Sequence, residues 1–176
     1  MAIIAVIGTG YVGLTTGACL SSLGHTVVCA DIDEQKVAAL RDGRIPIVEN
    51  GLEQLVRDGI SHGRLDFVLG AQAAARSSEF AFLCVPTPEG EDGQADLTYV
   101  ERAAAEIAPV LPRDAVVINK STVPVGSTRV VERVLRRSDV SVVSNPEFLR
   151  EGTAVHDFLH PDRVVVGRSE EHTSEL

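Results

Sequence analysis

The chain has 176 residues, of which 44% are apolar and 23% are charged, a balance typical of a globular domain with a core of its own. The formal net charge of −9 argues against a nucleic-acid or anionic membrane surface, and no apolar run is long enough to span a bilayer. Cys19, Cys29 and Cys84 lie in apolar segments without a C-x-x-C pair, which indicates reduced core thiols and a cytoplasmic protein.

Short apolar runs alternate with helical patterns along the chain. Strands are predicted at residues 3–7, 26–30, 65–69, 80–84, 115–118, 140–143 and 163–166. Helices are predicted at residues 12–23, 34–41, 51–58, 71–76, 97–110 and 127–137. Continuous apolar strands separated by helices predict an α/β fold, a Rossmann-like doubly wound, mostly parallel sheet with helices on both faces. Ligands of such sheets bind beyond the carboxyl ends of the strands, where each motif below falls.

The first predicted strand is followed by Gly8-Thr9-Gly10-Tyr11-Val12-Gly13, a G-x-G-x-x-G pattern that opens a predicted helix. Gly8 permits the tight turn, Gly10 lets the backbone approach a pyrophosphate, and Gly13 lets the helix pack closely on the strand. The N-terminus of the helix then offers backbone amides to the phosphates. In this context the pattern predicts a dinucleotide-binding loop.

Asp31 ends the second predicted strand, about 20 residues beyond the glycines, where an acid accepts hydrogen bonds from the adenosine ribose. A carboxylate there repels a 2′-phosphate, so the sequence predicts NAD rather than NADP as the cofactor. Lys36 on the following helix either reaches this cofactor or lies on a solvated helix face, and the sequence leaves both interpretations open.

Two further segments lie at the same predicted edge of the sheet. Val85-Pro86-Thr87-Pro88 follows the fourth strand, and its prolines fix a backbone that would point Thr87 at the cofactor groove. Lys120-Ser121-Thr122-Val123-Pro124-Val125-Gly126 follows the fifth strand and carries the hydroxyl of Thr122. Taken alone, the first segment is better explained as a rigid turn and the second as helix capping.

Acidic, basic, aromatic and turn-forming residues are mixed in Asn145-Pro146-Glu147-Phe148-Leu149-Arg150-Glu151-Gly152, after the sixth strand. A polar substrate pocket needs that mixture, whereas an apolar core does not. If residues 148–151 form a helical turn, Glu147 and Glu151 share one side, and a carboxylate there can position or deprotonate a water. The alternative is an exposed loop with one salt bridge to Arg150. His156 and His160 are four apart, but no third ligand is evident and no metal site is predicted.

Together these segments resemble the N-terminal part of the UDP-glucose 6-dehydrogenase branch of the nucleotide-sugar dehydrogenase family. The matching blocks are Gly8 to Leu14, Asp31-Ile32-Asp33, Pro46-Ile47 with Glu49 and Gly51-Leu52, Val85 to Pro88, Lys120 to Gly126, and Asn145 to Gly152 with His160-Pro161-Asp162-Arg163. They span nearly all of residues 1–167, and six ordered blocks are far more specific than any one of them.

The resemblance implies an NAD-dependent, two-step oxidation of UDP-glucose to UDP-glucuronate, with a cysteine that captures the intermediate aldehyde. It implies catalytic roles for Thr122, Glu147 and Glu151. It implies cofactor contacts at Gly8, Gly10, Tyr11, Val12, Gly13, Asp31, Lys36, Val85, Pro86, Thr87, Thr122 and Glu151. It implies sugar-nucleotide contacts at Glu147, Phe148, Leu149, Arg150 and Glu151, and a homodimer for the full-length enzyme.

The sequence departs from the family pattern in two respects. Val48 and Asn50 replace the usual tyrosine and proline before Gly51. The nucleophilic cysteine of the family lies in a glycine-rich block beyond residue 167, together with the active-site lysine and much of the sugar-nucleotide site. We therefore expect a cofactor-binding part that is inactive on its own, without the family's central helix and C-terminal UDP-sugar domain.

The last nine residues, 168–176, are polar and without periodicity, and one choice of codons for them resembles a sequencing-library adapter. We therefore expect residues 1–167 to be the cofactor-binding domain and residues 168–176 to be a non-native tail, with a natural flexible terminus as the alternative. A GDP-mannose or UDP-N-acetylhexosamine dehydrogenase is the alternative within the family. A non-catalytic dinucleotide-binding module is the alternative from another class.

Overall fold

The computed structural model describes residues 1–90, 93–121 and 126–168 of the chain. Thr122, which was expected at the site, lies outside the described residues. So do residues 169–176 of the expected tail, whereas the backbone of its first residue, Arg168, is paired in the sheet.

Within that part of the chain, seven strands form one sheet. In chain order they are β1 (Ile3–Ile7), β2 (Thr26–Asp31), β3 (Leu65–Leu69), β4 (Phe80–Leu83), β5 (Val116–Asn119), β6 (Ser141–Ser144) and β7 (Gly167–Arg168). Their spatial order is β3-β2-β1-β4-β5-β6-β7, and all neighbours are parallel except β6 and β7. The helices are α1 (Tyr11–Ser22), α2 (Glu34–Arg41), α3 (Leu52–Ser61), α4 (Ala71–Ala75), α5 (Thr98–Ile107), α6 (Ser127–Leu135) and α7 (Ala154–Leu159).

Alternate side chains of β1 face two separate cores, because helices cover both faces of the sheet. Ala5 and Ile7 pack with buried residues of α4, α5 and α6, whereas Ile4 and Val6 pack with buried residues of α1, α2 and α3. Strands buried on both sides read as continuous apolar runs, which is the pattern found in the sequence. The predicted α/β, doubly wound, mostly parallel fold is confirmed.

The strand predicted at residues 163–166 is wrong. These residues lie outside the sheet, and the last strand is β7, two residues long and antiparallel to β6. Val164 and Val166 are 68% and 64% exposed, so burial does not hold this β-branched run against the sheet. Asn145 Nδ2 instead donates a hydrogen bond to the carbonyl oxygen of Val165 at 2.8 Å.

The three cysteines are free and buried, as predicted. Burial raises the pKa of Cys19 and of Cys84 to about 12, so both thiols are protonated near neutral pH. Across residues 1–90, 93–121 and 126–168, no helix is long and apolar enough to cross a bilayer.

Candidate functional site

Two cavities lie along the carboxyl ends of the parallel strands. The first, which we name the glycine-loop groove, has a volume of about 670 Å³ and runs from Asp31 at β2 to Lys120 at β5. The second, which we name the polar pocket, has a volume of about 500 Å³ and lies between residues 145–150 and residues 156–165. The cavities meet at the end of the sheet where polar residues follow β5 and β6.

The glycine loop has the close backbone contacts that its sequence predicted. Gly8 has a φ of +97°, and a Cβ there would lie 2.6 Å from the carbonyl oxygen of Cys84. A Cβ on Gly13 would collide with the carbonyl oxygen of Gly8, so only glycine lets α1 approach β1 this closely. Gly10 has no atom within 4 Å of such a Cβ, which leaves this face of the loop open for the approach of a ligand.

Helix α1 begins at Tyr11 beside that open face. Its N-cap residue, Gly10, has no side chain to bond the first amides of the helix. The first amides of a helix point along its axis and carry a positive partial charge, so they are suited to a pyrophosphate in the groove.

Asp31 is held as a carboxylate by bonds from three sides. Its Oδ2 accepts hydrogen bonds from the Thr9 backbone N–H at 3.1 Å and from Lys36 Nζ at 2.8 Å, and also from the Thr9 hydroxyl. Burial alone would raise the pKa of Asp31, but the bonds from Lys36 and Thr9 outweigh it and lower the pKa to about 2. Asp31 is therefore charged at neutral pH, at the end of β2 where a ribose would lie.

Lys36 lines the groove and pairs with Asp31, so its ammonium does not lie on a solvated helix face. Further along the groove, Ser121, which follows β5, donates a hydrogen bond from its Oγ to the carbonyl oxygen of Val85 at 2.7 Å. This bond joins the ends of β4 and β5. The expected cofactor residues that line the groove are Gly8, Gly10, Tyr11, Val12, Asp31, Lys36, Val85, Pro86 and Thr87.

Residues 148–151 do not form the expected helical turn. Glu147 lines both cavities and accepts a hydrogen bond from the Leu149 backbone N–H at 2.7 Å, whereas Glu151 is exposed and lines neither cavity. The Leu149 N–H donates to Glu147, and the Arg150 N–H donates to Asp157 Oδ2 at 3.2 Å, so side chains rather than helical backbone bonds hold this segment. Of the residues expected to contact a sugar nucleotide, Glu147, Phe148, Leu149 and Arg150 line the polar pocket.

Arg150 pairs with Asp157 of α7 rather than with either neighbouring glutamate. Its Nη2 and Nε lie 2.7 Å and 3.0 Å from the two carboxylate oxygens of Asp157, a bidentate pair. Phe148 is exposed, and the Arg163 guanidinium lies 5.5 Å from the centroid of its ring. These contacts give the polar pocket a wall of charged and aromatic side chains.

Glu49 was not predicted as a site residue, although it lies in one of the matching blocks. Its Oε2 accepts hydrogen bonds from the Tyr11 hydroxyl at 2.6 Å and the Gly152 N–H at 2.8 Å, and its Oε1 accepts one from the Ala154 N–H at 3.0 Å. Burial alone would raise the pKa of Glu49, but these bonds hold it below its usual range. Glu49 therefore joins the start of α1 to the end of the acidic block and to the N-terminus of α7.

The histidines of the polar pocket do not form a metal site with other side chains of the described residues. The rings of His156 and His160 lie 5.0 Å apart, and the described ranges contain no group of three or more His, Cys, Asp or Glu side chains with metal-binding geometry.

The family model for the "UDP-glucose/GDP-mannose dehydrogenase family, NAD binding domain" matches residues 2–176. The chain is 52% identical to UDP-glucose 6-dehydrogenase of Rhizobium meliloti over 169 residues, which cover 93% of this chain and 39% of that protein. It is 47% identical to UDP-glucose 6-dehydrogenase TuaD of Bacillus subtilis, with 93% of this chain and 37% of that protein covered.

Solved structures show the same similarity. A UDP-glucose dehydrogenase from the archaeon Pyrobaculum islandicum superposes with a TM-score of 0.90 at 42% identity, over 97% of this chain and 41% of that chain. A GDP-mannose dehydrogenase from Pseudomonas aeruginosa, solved as a ternary complex, superposes with a TM-score of 0.87 at 35% identity, over 94% of this chain and 41% of that chain. The chain thus spans about two fifths of the length of its relatives. It belongs to the UDP-glucose/GDP-mannose dehydrogenase family and corresponds to the NAD binding domain of that family.

Proposed function

We propose that this chain binds NAD in the glycine-loop groove and is the cofactor-binding part of a dehydrogenase that oxidises UDP-glucose to UDP-glucuronate. The observation that carries the proposal is the continuous groove from the ionised Asp31, past the open face of Gly10, to Val85 and Lys120. A dinucleotide laid along a doubly wound sheet has this shape and this order of partners.

The residues of the groove fit NAD and divide its recognition among them. Asp31 accepts hydrogen bonds from the adenosine ribose, and its charge disfavours a 2′-phosphate. The amides at the start of α1 hold the pyrophosphate, and the segment from Val85 to Thr87 borders the nicotinamide end. When bound, NAD accepts a hydride from the substrate carbon.

The polar pocket adjoins the nicotinamide end of the groove, and we assign it to the sugar nucleotide. Glu147 lines both cavities, which supports a role for its carboxylate in holding a hydroxyl or a water beside the reacting carbon. We propose the catalytic roles of Thr122, Glu147 and Glu151 from the family resemblance. Identities of 52% and 47% with UDP-glucose 6-dehydrogenases, against 35% with a GDP-mannose dehydrogenase, favour UDP-glucose as the substrate.

We include three further assignments in this proposal. Residues 1–167 are the NAD-binding domain, residues 168–176 are a tail, and the whole enzyme is a homodimer. A cytoplasmic location extends it too, because three free, buried thiols suit a reducing compartment.

Calorimetric titration of the purified chain with NAD, NADP and UDP-glucose tests the proposal. We expect saturable NAD binding, much weaker NADP binding and little heat from UDP-glucose, with no sustained NADH production. Asp31→Asn removes the charge at the ribose position and should weaken NAD binding at least tenfold while narrowing the preference over NADP. Asp42→Asn is the matched control, because Asp42 is exposed and pairs only with Arg44 among the described residues. A folded chain that binds no NAD refutes the proposal.

A further inference from the structure

The chain has two lysines, Lys36 and Lys120, and both line the glycine-loop groove. Lys36 pairs with Asp31 beyond the end of β2. Lys120 follows β5 at the opposite end of the groove and is only 6% exposed. Lys120 also lines the polar pocket, a position that it shares, among the described residues, only with Glu147.

The ammonium of Lys120 lies on the polar-pocket side of this junction. Nζ is 3.3 Å from Asn145 Oδ1 and 5.7 Å from the centroid of the Phe158 ring. Asn145 and Phe158 line the polar pocket and not the groove. The charged end of the side chain therefore contacts residues of the space for a second substrate.

This ammonium has more donors than its neighbours use. It carries three N–H groups, and the bonds between described residues account for one of them, the long contact with Asn145. Burial lowers the pKa of Lys120, while the nearby Cys84 and Glu147 act in the opposite direction. A cation buried with one weak hydrogen bond is costly to the fold and is typical of ligand-binding sites.

We infer that Lys120 is a substrate-binding residue, whose ammonium donates a hydrogen bond to a sugar hydroxyl oxygen where the two cavities meet. A hydroxyl both accepts and donates, and the junction supplies both partners, the ammonium of Lys120 and the carboxylate of Glu147. The pair holds an alcohol carbon beside the nicotinamide end of the groove. The inference rests on the proposed function, because it takes the polar pocket as the site of the sugar nucleotide.

The two lysines make the test specific. With ¹³C-labelled lysine, the side-chain NMR signals report on one end of the groove each, and Lys36→Met and Lys120→Met assign them. Millimolar UDP-glucose, which binds this part of the enzyme too weakly to give much heat in calorimetry, should still shift the Lys120 signals saturably, whereas NAD should shift those of Lys36. Lys120→Met should weaken UDP-glucose binding at least tenfold and should weaken NAD binding by a clearly smaller factor, and Lys120→Arg should recover part of the loss of UDP-glucose binding. Lys36→Met should show the opposite pattern.

The outcomes separate this inference from the proposed function. Lys120 signals that respond to NAD alone, or that stay fixed under UDP-glucose in a folded chain, overturn the inference. If NAD neither shifts the Lys36 signals nor gives heat on titration, the proposed function is overturned instead. The response of the Lys120 signals to UDP-glucose then still decides the inference. Thermal unfolding by circular dichroism verifies that each variant is folded.

Discussion

Glu49 links parts of the chain that are far apart in sequence, so we expect its replacement by Gln to destabilise the fold. Tyr11 at the start of α1 and the amides of Gly152 and Ala154 at α7 all donate to this one carboxylate, which is 8% exposed. Glu49→Gln preserves the shape of the side chain and changes only one oxygen into an amide nitrogen, so it isolates the bonds from the packing.

The size of the effect follows from the bonding geometry. If the amide oxygen of the variant stays with Tyr11 and Gly152, its NH₂ group faces the Ala154 N–H and leaves that donor without an acceptor. Losing a hydrogen bond at a buried donor costs about 1–3 kcal/mol. The two remaining bonds also lose the contribution of the negative charge. We therefore expect about 2 kcal/mol of destabilisation, which lowers Tm by about 4–8 °C in a chain of this size.

Thermal unfolding followed by circular dichroism at pH 7 measures this loss. Glu53→Gln is the matched control, since Glu53 is an exposed residue of α3 whose pair with Arg57 contributes less than about 1 kcal/mol. Because the pKa of Glu49 is lowered in the fold, its stabilisation is present above the unfolded pKa of about 4.3 and is lost as the pH falls below it. The difference between the unmodified chain and Glu49→Gln should therefore narrow toward about pH 3. Equal Tm values for Glu49→Gln and Glu53→Gln at pH 7 refute the reasoning.

Two further predictions concern the start of α1. Burial and the adjacent Glu49 carboxylate raise the pKa of Tyr11 well above its ordinary value. In a Tyr99→Phe variant, where Tyr11 is the one remaining tyrosine, the phenolate absorbance should therefore rise at a higher pH than that of a free tyrosine. Glu49→Gln should move this titration to lower pH. An unchanged titration contradicts the contact. Gly13→Ala drives a Cβ into the backbone of the glycine loop and should cost about 1–3 kcal/mol in thermal unfolding. Gly10→Ala meets no neighbour within 4 Å, so it should weaken NAD binding in calorimetry while costing at most about 1 kcal/mol of stability; equal stability losses at both glycines would contradict this division of roles.

The fold was predictable because its signals are local in sequence. The apolar runs of β1 to β6 are long enough to show burial on both faces, and the glycine loop gives the strand-to-helix turn directly. The prediction failed at residues 163–166, where β-branched residues are exposed and have no surface to pack against. Helix α7 was missed because it is short and its first amides are bonded by Glu49, about a hundred residues earlier in the chain.

The site was only partly predictable, because some of its residues follow a local sequence pattern and others are brought together only by contacts between distant parts of the chain. Asp31 and the glycines follow a spacing that the chemistry of a dinucleotide imposes, so pattern alone located them. Lys120 gave no such signal, because a single lysine after a strand is as common in a capping segment as in a site. Its significance comes from burial and from Asn145 and Phe158, which fold beside it from later parts of the chain.

The order of the strands explains why the groove and the pocket share Lys120 and Glu147 as lining residues. Parallel strands in the order β1-β4-β5-β6 bring the ends of β5 and β6 side by side, so residues that follow them, Lys120 and Glu147, both lie where the two cavities meet. The register of the two strands pairs Asn119 with Ser144 and so sets the position of Lys120, which follows Asn119 directly. Glu147 lies three residues beyond β6, where the Leu149 N–H holds its carboxylate. If Lys120 and Glu147 bind the substrate as inferred, a donor held at the end of β5 and an acceptor held by its own loop bond fix a substrate hydroxyl from two sides, and hydride transfer depends on that precision.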